Sequence, residues 1–324
     1  MTSIVVTGGT GTFGKAIVDQ LLLDESVTKI AVYSRDEQKQ EAMAMARAKA
    51  LEGDRLRFFI GDVRDLDRLR LAFRGADGVI HAAAMKIVPA CEKDPIEAIK
   101  TNVGGSANVI SAALDSGTVS KVIALSTDKA VSPANLYGAT KLSAEKLFVA
   151  ANNLTGPRGP AFSVVRYGNV CGSRGSVIPK WKLLRAQNKP LPITHFDMTR
   201  FWITIEDAVG FVLSGIQVMQ GGEVFIPKMP SFRVSDLGEA IYGREDFPHT
   251  IVGIRQGEKL HEDLMTTHEG RMATQNEYAY AICPPWLSPE SPVDDGFSLS
   301  SDRNDMWLSV DDLKTLTESI GYGL

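Results

Sequence analysis

The stretch Ser3-Ile4-Val5-Val6-Thr7-Gly8-Gly9-Thr10-Gly11-Thr12-Phe13-Gly14 reads as a short β-branched strand that runs into a glycine-rich turn. A helix follows, with Phe13, Ile17 and Leu21 at four-residue spacing. Glycine adopts backbone conformations that other residues avoid, so Gly9, Gly11 and Gly14 allow a sharp turn and a close approach of main chain to a ligand. G-x-G-x-x-G alone is a weak signal. Its place, after a first strand and opening a helix, makes it the fingerprint of a dinucleotide whose pyrophosphate sits on the helix N-terminus. Gly8, Thr10, Gly11, Thr12, Phe13 and Gly14 are therefore candidate cofactor contacts.

Outward from that loop, short apolar runs alternate with helix-prone stretches. Lys29–Tyr33, Leu56–Ile60, Gly78–His81, Lys121–Leu125 and Phe162–Arg166 read as strands, and segments such as Glu37–Leu51 and Pro95–Ser116 read as helices. This alternation implies βαβ units and a parallel sheet covered on both faces. The expected fold is α/β, a Rossmann-type doubly wound parallel sheet with a smaller C-terminal substrate-binding lobe. Residues 1–166 are assigned to the nucleotide-binding domain, with about 200–228 returning to its core. Residues 167–199 and 229–324 are assigned to the lobe, because Pro, Gly and isolated aromatics become frequent beyond Tyr167.

The strand over 30–33 ends in Ser34-Arg35-Asp36, with Lys39 a turn later. Ser34, Arg35 and Lys39 can all donate to a ribose 2′-phosphate, and arginine can do so bidentately. Asp36 argues the other way, since an acid there suits the free 2′-hydroxyl. NADP is the expected cofactor. Asp62 and Val63 follow the next strand and Ala82 the one after, placed to border the adenine and the nicotinamide side. Lys86, Leu125, Ser126, Tyr137 and Lys141 complete the candidate cofactor set.

The chain has 324 residues, 44% hydrophobic and 23% charged, with a formal net charge of −4. That charge leaves no footprint for nucleic acid or an anionic membrane surface. No window approaches the ~18 apolar residues of a membrane span, and no basic, cleavable leader is evident, so a cytoplasmic protein is expected. Cys91, Cys171 and Cys283 are widely spaced and form no ligand cluster, and no metal is assigned.

The segment Ser126-Thr127-Asp128-Lys129-Ala130-Val131-Ser132-Pro133-Ala134-Asn135-Leu136-Tyr137-Gly138-Ala139-Thr140-Lys141 carries two possible acid/base pairs. Tyr137 and Lys141 share a helix face, and the lysine can lower the phenol from its reference of ~10, making a base near neutral pH. Asp128 and Lys129 are adjacent, after a buried strand.

In order and spacing the glycine loop, Gly61-Asp62-Val63-Arg64-Asp65, His81-Ala82-Ala83-Ala84, Ser126-Thr127-Asp128-Lys129 and Tyr137-Gly138-Ala139-Thr140-Lys141 resemble the extended short-chain dehydrogenase/reductases. Among these the chain is most similar to the inverting UDP-N-acetylglucosamine 4,6-dehydratases. The motifs that carry this are Tyr33-Ser34-Arg35-Asp36-Glu37, Arg57-Phe58-Phe59-Ile60-Gly61-Asp62, Arg166-Tyr167-Gly168-Asn169-Val170, Gly172-Ser173-Arg174-Gly175-Ser176-Val177, Met198-Thr199-Arg200-Phe201-Trp202 and Gly257-Glu258-Lys259-Leu260-His261-Glu262.

The resemblance implies C4 oxidation with Tyr137 as base, aided by Thr127 and Lys141, then loss of water across C5 and C6. It makes Lys129 the C5 base and Asp128 the acid at C6. A lysine base must be neutral when it acts, so a lowered pKa is expected for Lys129, with Lys86 as a cationic neighbour. Lys86, Asn169, Val170, Arg174, Gly175, Ser176, Val177, Thr194, Arg200, Arg255 and Glu258 match UDP-sugar contacts, and the arginines suit a diphosphate. A homo-oligomer is expected. Met85 and Ile87 depart from the family's Leu-Lys-His-Val-Pro, which bears on product fate or C5 stereochemistry if that imidazole handles protons. Two other functions share these features: a UDP-sugar 4-epimerase, which loses no water, and a non-catalytic NADP-binding regulator.

Overall fold

The computed structural model describes residues 1–156, 159–172, 177–287 and 291–319. Six parallel strands alternate with helices over its first half: β1 (Ser3–Thr7), β2 (Lys29–Ser34), β3 (Leu56–Ile60), β4 (Gly78–His81), β5 (Lys121–Leu125) and β6 (Ala161–Val165). Five helices matter for the site: α1 (Thr12–Leu23), α2 (Glu37–Met45), α3 (Gly105–Ser116), α4 (Leu136–Ala151) and α5 (Ile205–Val218).

Successive strand residues go to opposite faces, as the pleat requires. Ile4, Val6, Ile80, Ile123 and Leu125 meet Ile17, Leu21, Val212 and Ile216 of α1 and α5 in one core. Val5, Val79, Val122 and Ala124 meet Val109, Ala113 and Phe148 of α3 and α4 in the other. Continuous burial of both faces explains why these strands read as unbroken apolar runs rather than alternating ones.

The large sheet has nine strands in the order Ala273–Gln275, Ala279–Ile282, Val224–Pro227, β6, β5, β4, β1, β2, β3. β1 pairs with both β2 and β4, so the strand order reverses there and leaves a crevice at the strands' C-terminal ends. Ala279–Ile282 pairs antiparallel with Val224–Pro227, and the edge strand Ala273–Gln275 pairs antiparallel with it in turn, so a piece of the segment assigned wholly to the lobe extends the main sheet. Thr199–Ile203 lies instead in a three-stranded sheet with Asn169–Val170 and Ser231–Arg233, although Phe201 and Ile203 still pack into the first core. A third core joins Trp181, Ile193, Trp202, Phe232 and Leu237 beneath the smaller lobe. The helix expected over Pro95–Ser116 contains a π-helical turn at Lys100–Gly104.

Candidate active site

The crevice between β1 and β4 is lined by the glycine loop. Gly8, rather than one of the three fingerprint glycines, takes the left-handed conformation, with φ +69°. Its N–H donates to the Tyr33 carbonyl at 2.8 Å. A Cβ there would stand 2.8 Å from the Ala83 nitrogen, so the loops after β1 and β4 touch backbone to backbone. At Gly14 a Cβ would lie 2.5 Å from the Gly8 carbonyl oxygen, which fixes how closely α1 approaches the loop. Gly11 is the N-cap of α1, with no side-chain cap and no acid in the first turn, so the helix's positive end is uncompensated. Phe13 and Tyr167 stack at 6.5 Å across the loop. The Ser126 Oγ, at the end of β5, is buried without a hydrogen-bond partner among the described residues. A glycine cradle, an open helix N-terminus and an unpartnered hydroxyl fit a nicotinamide dinucleotide.

At the far end of the crevice, Asp36 is the N-cap of α2; its carboxylate accepts from the Lys39 N–H at 3.0 Å and pairs with the Lys39 ammonium. Both residues are thereby tied to each other. Ser34 is buried, its hydroxyl accepting from Gln40 at 2.9 Å. Arg35 is 59% exposed and 3.7 Å from Asp62, which the Arg64 guanidinium holds more tightly at 2.7 Å. Val63 and Ala82 flank the cradle, packed into the two cores.

The two acid/base pairs meet where β5 passes through a 3₁₀ turn, Asp128–Ala130, into α4. Asn135 caps α4, accepting from the Gly138 N–H at 2.9 Å. Gly138 is needed for the approach of that first turn: a Cβ there would lie 2.0 Å from the Lys129 carbonyl oxygen. Lys129 Nζ donates to Asp128 Oδ1 at 3.0 Å and lies 3.2 Å from Glu262 Oε1. Thr127 also donates to Asp128 Oδ1, at 2.9 Å, while Oδ2 is buried and has no partner among the described residues.

This arrangement corrects two expectations. Burial pulls the Lys129 pKa down, but the carboxylates of Asp128 and Glu262 more than reverse that, so the lysine is held as a cation. Its cationic neighbour is Arg200, not Lys86, whose own value is lowered by burial. Nor does Lys141 depress Tyr137. Burial pushes the phenol up to about 12 against the pull of Lys129 and the Thr127 hydroxyl. Lys141 donates instead to the Leu125 carbonyl at 2.6 Å, and burial brings it down to about 8.

In the smaller lobe, Asn169 is exposed on a short strand paired with Trp202, and Val170 beside it is half-buried. Val177 opens the helix Val177–Ala186, and Thr194 follows the strand Leu191–Ile193. Arg174, Gly175 and Ser176 lie outside the described residues. Arg255 is exposed, and Glu258 accepts from its N–H at 3.3 Å. Arg200 differs from the diphosphate clamp expected of it. It is buried, donates to the carbonyls of Thr199, Lys259 and Leu260, and stands 3.8–4.0 Å from Glu258 and Glu262. Ile87 is 66% exposed, so the family imidazole it replaces has an open position.

Two residues of the site were missed from sequence. Asn102, in the π-helical turn, bonds both backbone groups of Met85 and the Thr140 hydroxyl, tying the Lys86 loop to α4. A π-bulge at a functional site is a known device but has no clear sequence signal. Glu262 ends the motif Gly257–Glu262, but nothing within that motif marks it as the partner of Lys129, far earlier in the chain.

The family described as "Polysaccharide biosynthesis protein" matches residues 4–284. The UDP-N-acetylglucosamine 4,6-dehydratase (inverting) of Campylobacter jejuni serotype O:23/36 is 50% identical, with 96% of each chain covered. The UDP-glucose 4-epimerase of Rickettsia conorii is 42% identical, over 86% of this chain and 82% of its own. The X-ray structure of Pen from Bacillus thuringiensis superposes with a TM-score of 0.88 at 36% identity, covering 97% of each chain. With that match spanning most of its length and relatives half identical end to end, the chain belongs to the polysaccharide biosynthesis protein family.

Proposed function

We propose that this chain is a UDP-N-acetylglucosamine 4,6-dehydratase that inverts C5, works with NADP and yields a UDP-2-acetamido-2,6-dideoxy-4-keto-hexose. The Campylobacter jejuni relatives support the substrate and reaction. The observation that carries the reading is the pairing of buried Asp128 with half-buried Lys129 beside Tyr137. Oxidation at C4 needs one proton relay, whereas loss of water needs a second. Exposed Arg35, with Asp36 turned away as a helix cap, supports NADP over NAD.

When bound, the dinucleotide supplies a hydride acceptor at C4 and a hydride donor at C6. Tyr137 handles the C4 hydroxyl proton, with the Lys129 cation and the Thr127 hydroxyl favouring its ionised form against burial. A C4 ketone then acidifies C5. The resting ion pair becomes a base and an acid by one transfer across its 3.0 Å hydrogen bond: an N–H bond of Lys129 breaks and an O–H bond forms on Asp128 Oδ1. The neutral amine takes the C5 proton, and the Asp128 carboxyl gives its proton to the departing C6 oxygen. Both groups return to their starting charges. C5 then takes a proton from solvent on the face opposite the one that was deprotonated, which inverts that centre. Tyr137 releases to solvent the proton it took from the C4 hydroxyl, so that the sum is loss of one water. Asn169, Val170, Val177, Thr194, Arg255 and Glu258, with Arg174, Gly175 and Ser176, are proposed to hold the UDP-sugar.

Mass spectrometry after incubation with UDP-N-acetylglucosamine tests this. Loss of one water is expected, and an isomer of unchanged mass would instead mark a 4-epimerase. In heavy water, Lys129→Ala should block deuterium entry at C5, and Asp128→Asn, which leaves the lysine no carboxylate to take its proton, should slow both that entry and loss of the C6 hydroxyl. Wild-type C5 exchange in Lys129→Ala would remove the lysine from its role.

A further inference from the structure

Lys129 is gripped from two directions. Asp128 is its chain neighbour, but Glu262 comes from a remote segment that precedes the strand Asp263–Met265. Glu262 is 3% exposed, and its backbone is pinned on both sides to Ser301: its N–H donates to the serine hydroxyl at 2.9 Å and its carbonyl accepts from the serine N–H at 2.8 Å. Oε1 faces Lys129 Nζ at 3.2 Å, and Oε2 is buried with no partner among the described residues. A carboxylate buried this deeply needs strong compensation, and a fold seldom keeps one without a use. A base that a third group orients is the recurrent arrangement of activated side chains.

We propose that Glu262 is the positioning residue of the C5 base: it holds the Lys129 amine while Asp128 carries the transferred proton, and its negative charge stabilises the ammonium that forms as Nζ takes the C5 proton. This rests on Lys129 being that base. Once Asp128 is neutral, Asp128 no longer anchors the amine by charge, so Glu262 is the anion left beside it. Fixed charge aimed at the site where charge develops is the most effective form of such help.

The groups facing Glu262 are Asp128 and Lys129 on the 3₁₀ turn and Arg200 on Thr199–Ile203. Tyr137 of α4 lies beyond the lysine, and His261 and Asp302 stand on the side of Ser301. Burial and the Asp128 charge raise the Glu262 pKa, opposed by Lys129 and Arg200. Protonation of Glu262 therefore sets an acid limb on C5 exchange above the ordinary glutamate range.

The test supplies a UDP-4-keto-6-deoxy-hexose that keeps the substrate's C5 configuration, so that its C5 proton lies on the face Lys129 serves, to the full-length protein in heavy water and follows deuterium at C5 by NMR across pH. Glu262→Gln keeps the shape and an acceptor oxygen but no charge. Exchange should fall about 10–100-fold, the worth of one charged hydrogen bond, and the acid limb should vanish while KM for the UDP-sugar changes little. Glu262→Asp, which keeps the charge one methylene further back, should recover part of the rate and the limb. Exchange that is unchanged or faster in Glu262→Gln overturns the proposal, since the carboxylate would then only lock the lysine in its unreactive form. So does a lower rate with the acid limb intact, which marks a merely structural residue. Wild-type exchange that Lys129→Ala retains overturns the base assignment itself, a result distinct from either.

Discussion

Gly138→Ala tests whether the close approach of α4 to the Asp128–Ala130 turn builds the site. Gly138 is the third residue of α4, where alanine should by itself stabilise the helix by ~1 kcal/mol relative to glycine. Against that gain, the new Cβ would lie 2.0 Å from the Lys129 carbonyl oxygen, and 3.0 Å from Pro133 Cβ. Carbon–oxygen contacts normally begin at about 3.3 Å, so backbone must move by roughly 1.3 Å. The obstacle is main chain, not the end of a flexible side chain. Overpacking of this kind costs about 1–3 kcal/mol, which exceeds the helix gain or cancels it. The displacement also separates Lys129 and Asp128 from Tyr137, and misplacement by ~1 Å can cost about 10²-fold in rate. Thermal unfolding and product formation would be measured together. The expected result is a lower Tm and turnover reduced by about two orders of magnitude. Gly11→Ala is the control for stability. There the nearest atom, the Gly8 carbonyl oxygen, is 3.2 Å away and φ is an ordinary −71°, so only small adjustments are needed. A Gly138→Ala protein with an equal or higher Tm and near-normal turnover would refute the packing argument.

Arg35→Ala should weaken NADP relative to NAD by ~1.5–3 kcal/mol if a charged hydrogen bond to the 2′-phosphate is lost; titration calorimetry showing equal weakening of both would remove Arg35 from that role. Lys141 gives a pH signature. Its folded value of about 8 lies below the unfolded ~10.4, so the unfolded state binds more protons in that window and stability rises with pH there. Tyr137, raised to about 12, reverses the trend above pH ~10, where the unfolded tyrosine ionises first. Urea midpoints at pH 8 and 10 should therefore climb in wild type by up to ~2 kcal/mol more than in Lys141→Met, and equal slopes would contradict the lysine's burial.

The sequence alone carried the parallel sheet, because strand and helix periods, glycine turns and helix caps are encoded within a few residues of one another. The loop from Thr7 to Gly14, the caps Asp36 and Asn135, and the spacing of Tyr137 and Lys141 are all of this local kind. What the sequence did not carry is charge state. A pKa follows from burial and from whichever partners other segments deliver. Lys129 looked like an amine awaiting a cationic neighbour, yet Glu262 arrives from a distant segment and keeps it charged. Arg200 looked like a phosphate clamp, yet its donors meet the carbonyls of Thr199, Lys259 and Leu260. Lys141 looked like the partner of Tyr137, yet the end of β5 offers it the Leu125 carbonyl. The strand Ala279–Ile282 followed the same rule, since its short pairing with Val224–Pro227 is a contact between segments that leaves no periodic trace in either. Local order can be read along the chain, but the electrostatics of the site exist only once remote residues have been buried together.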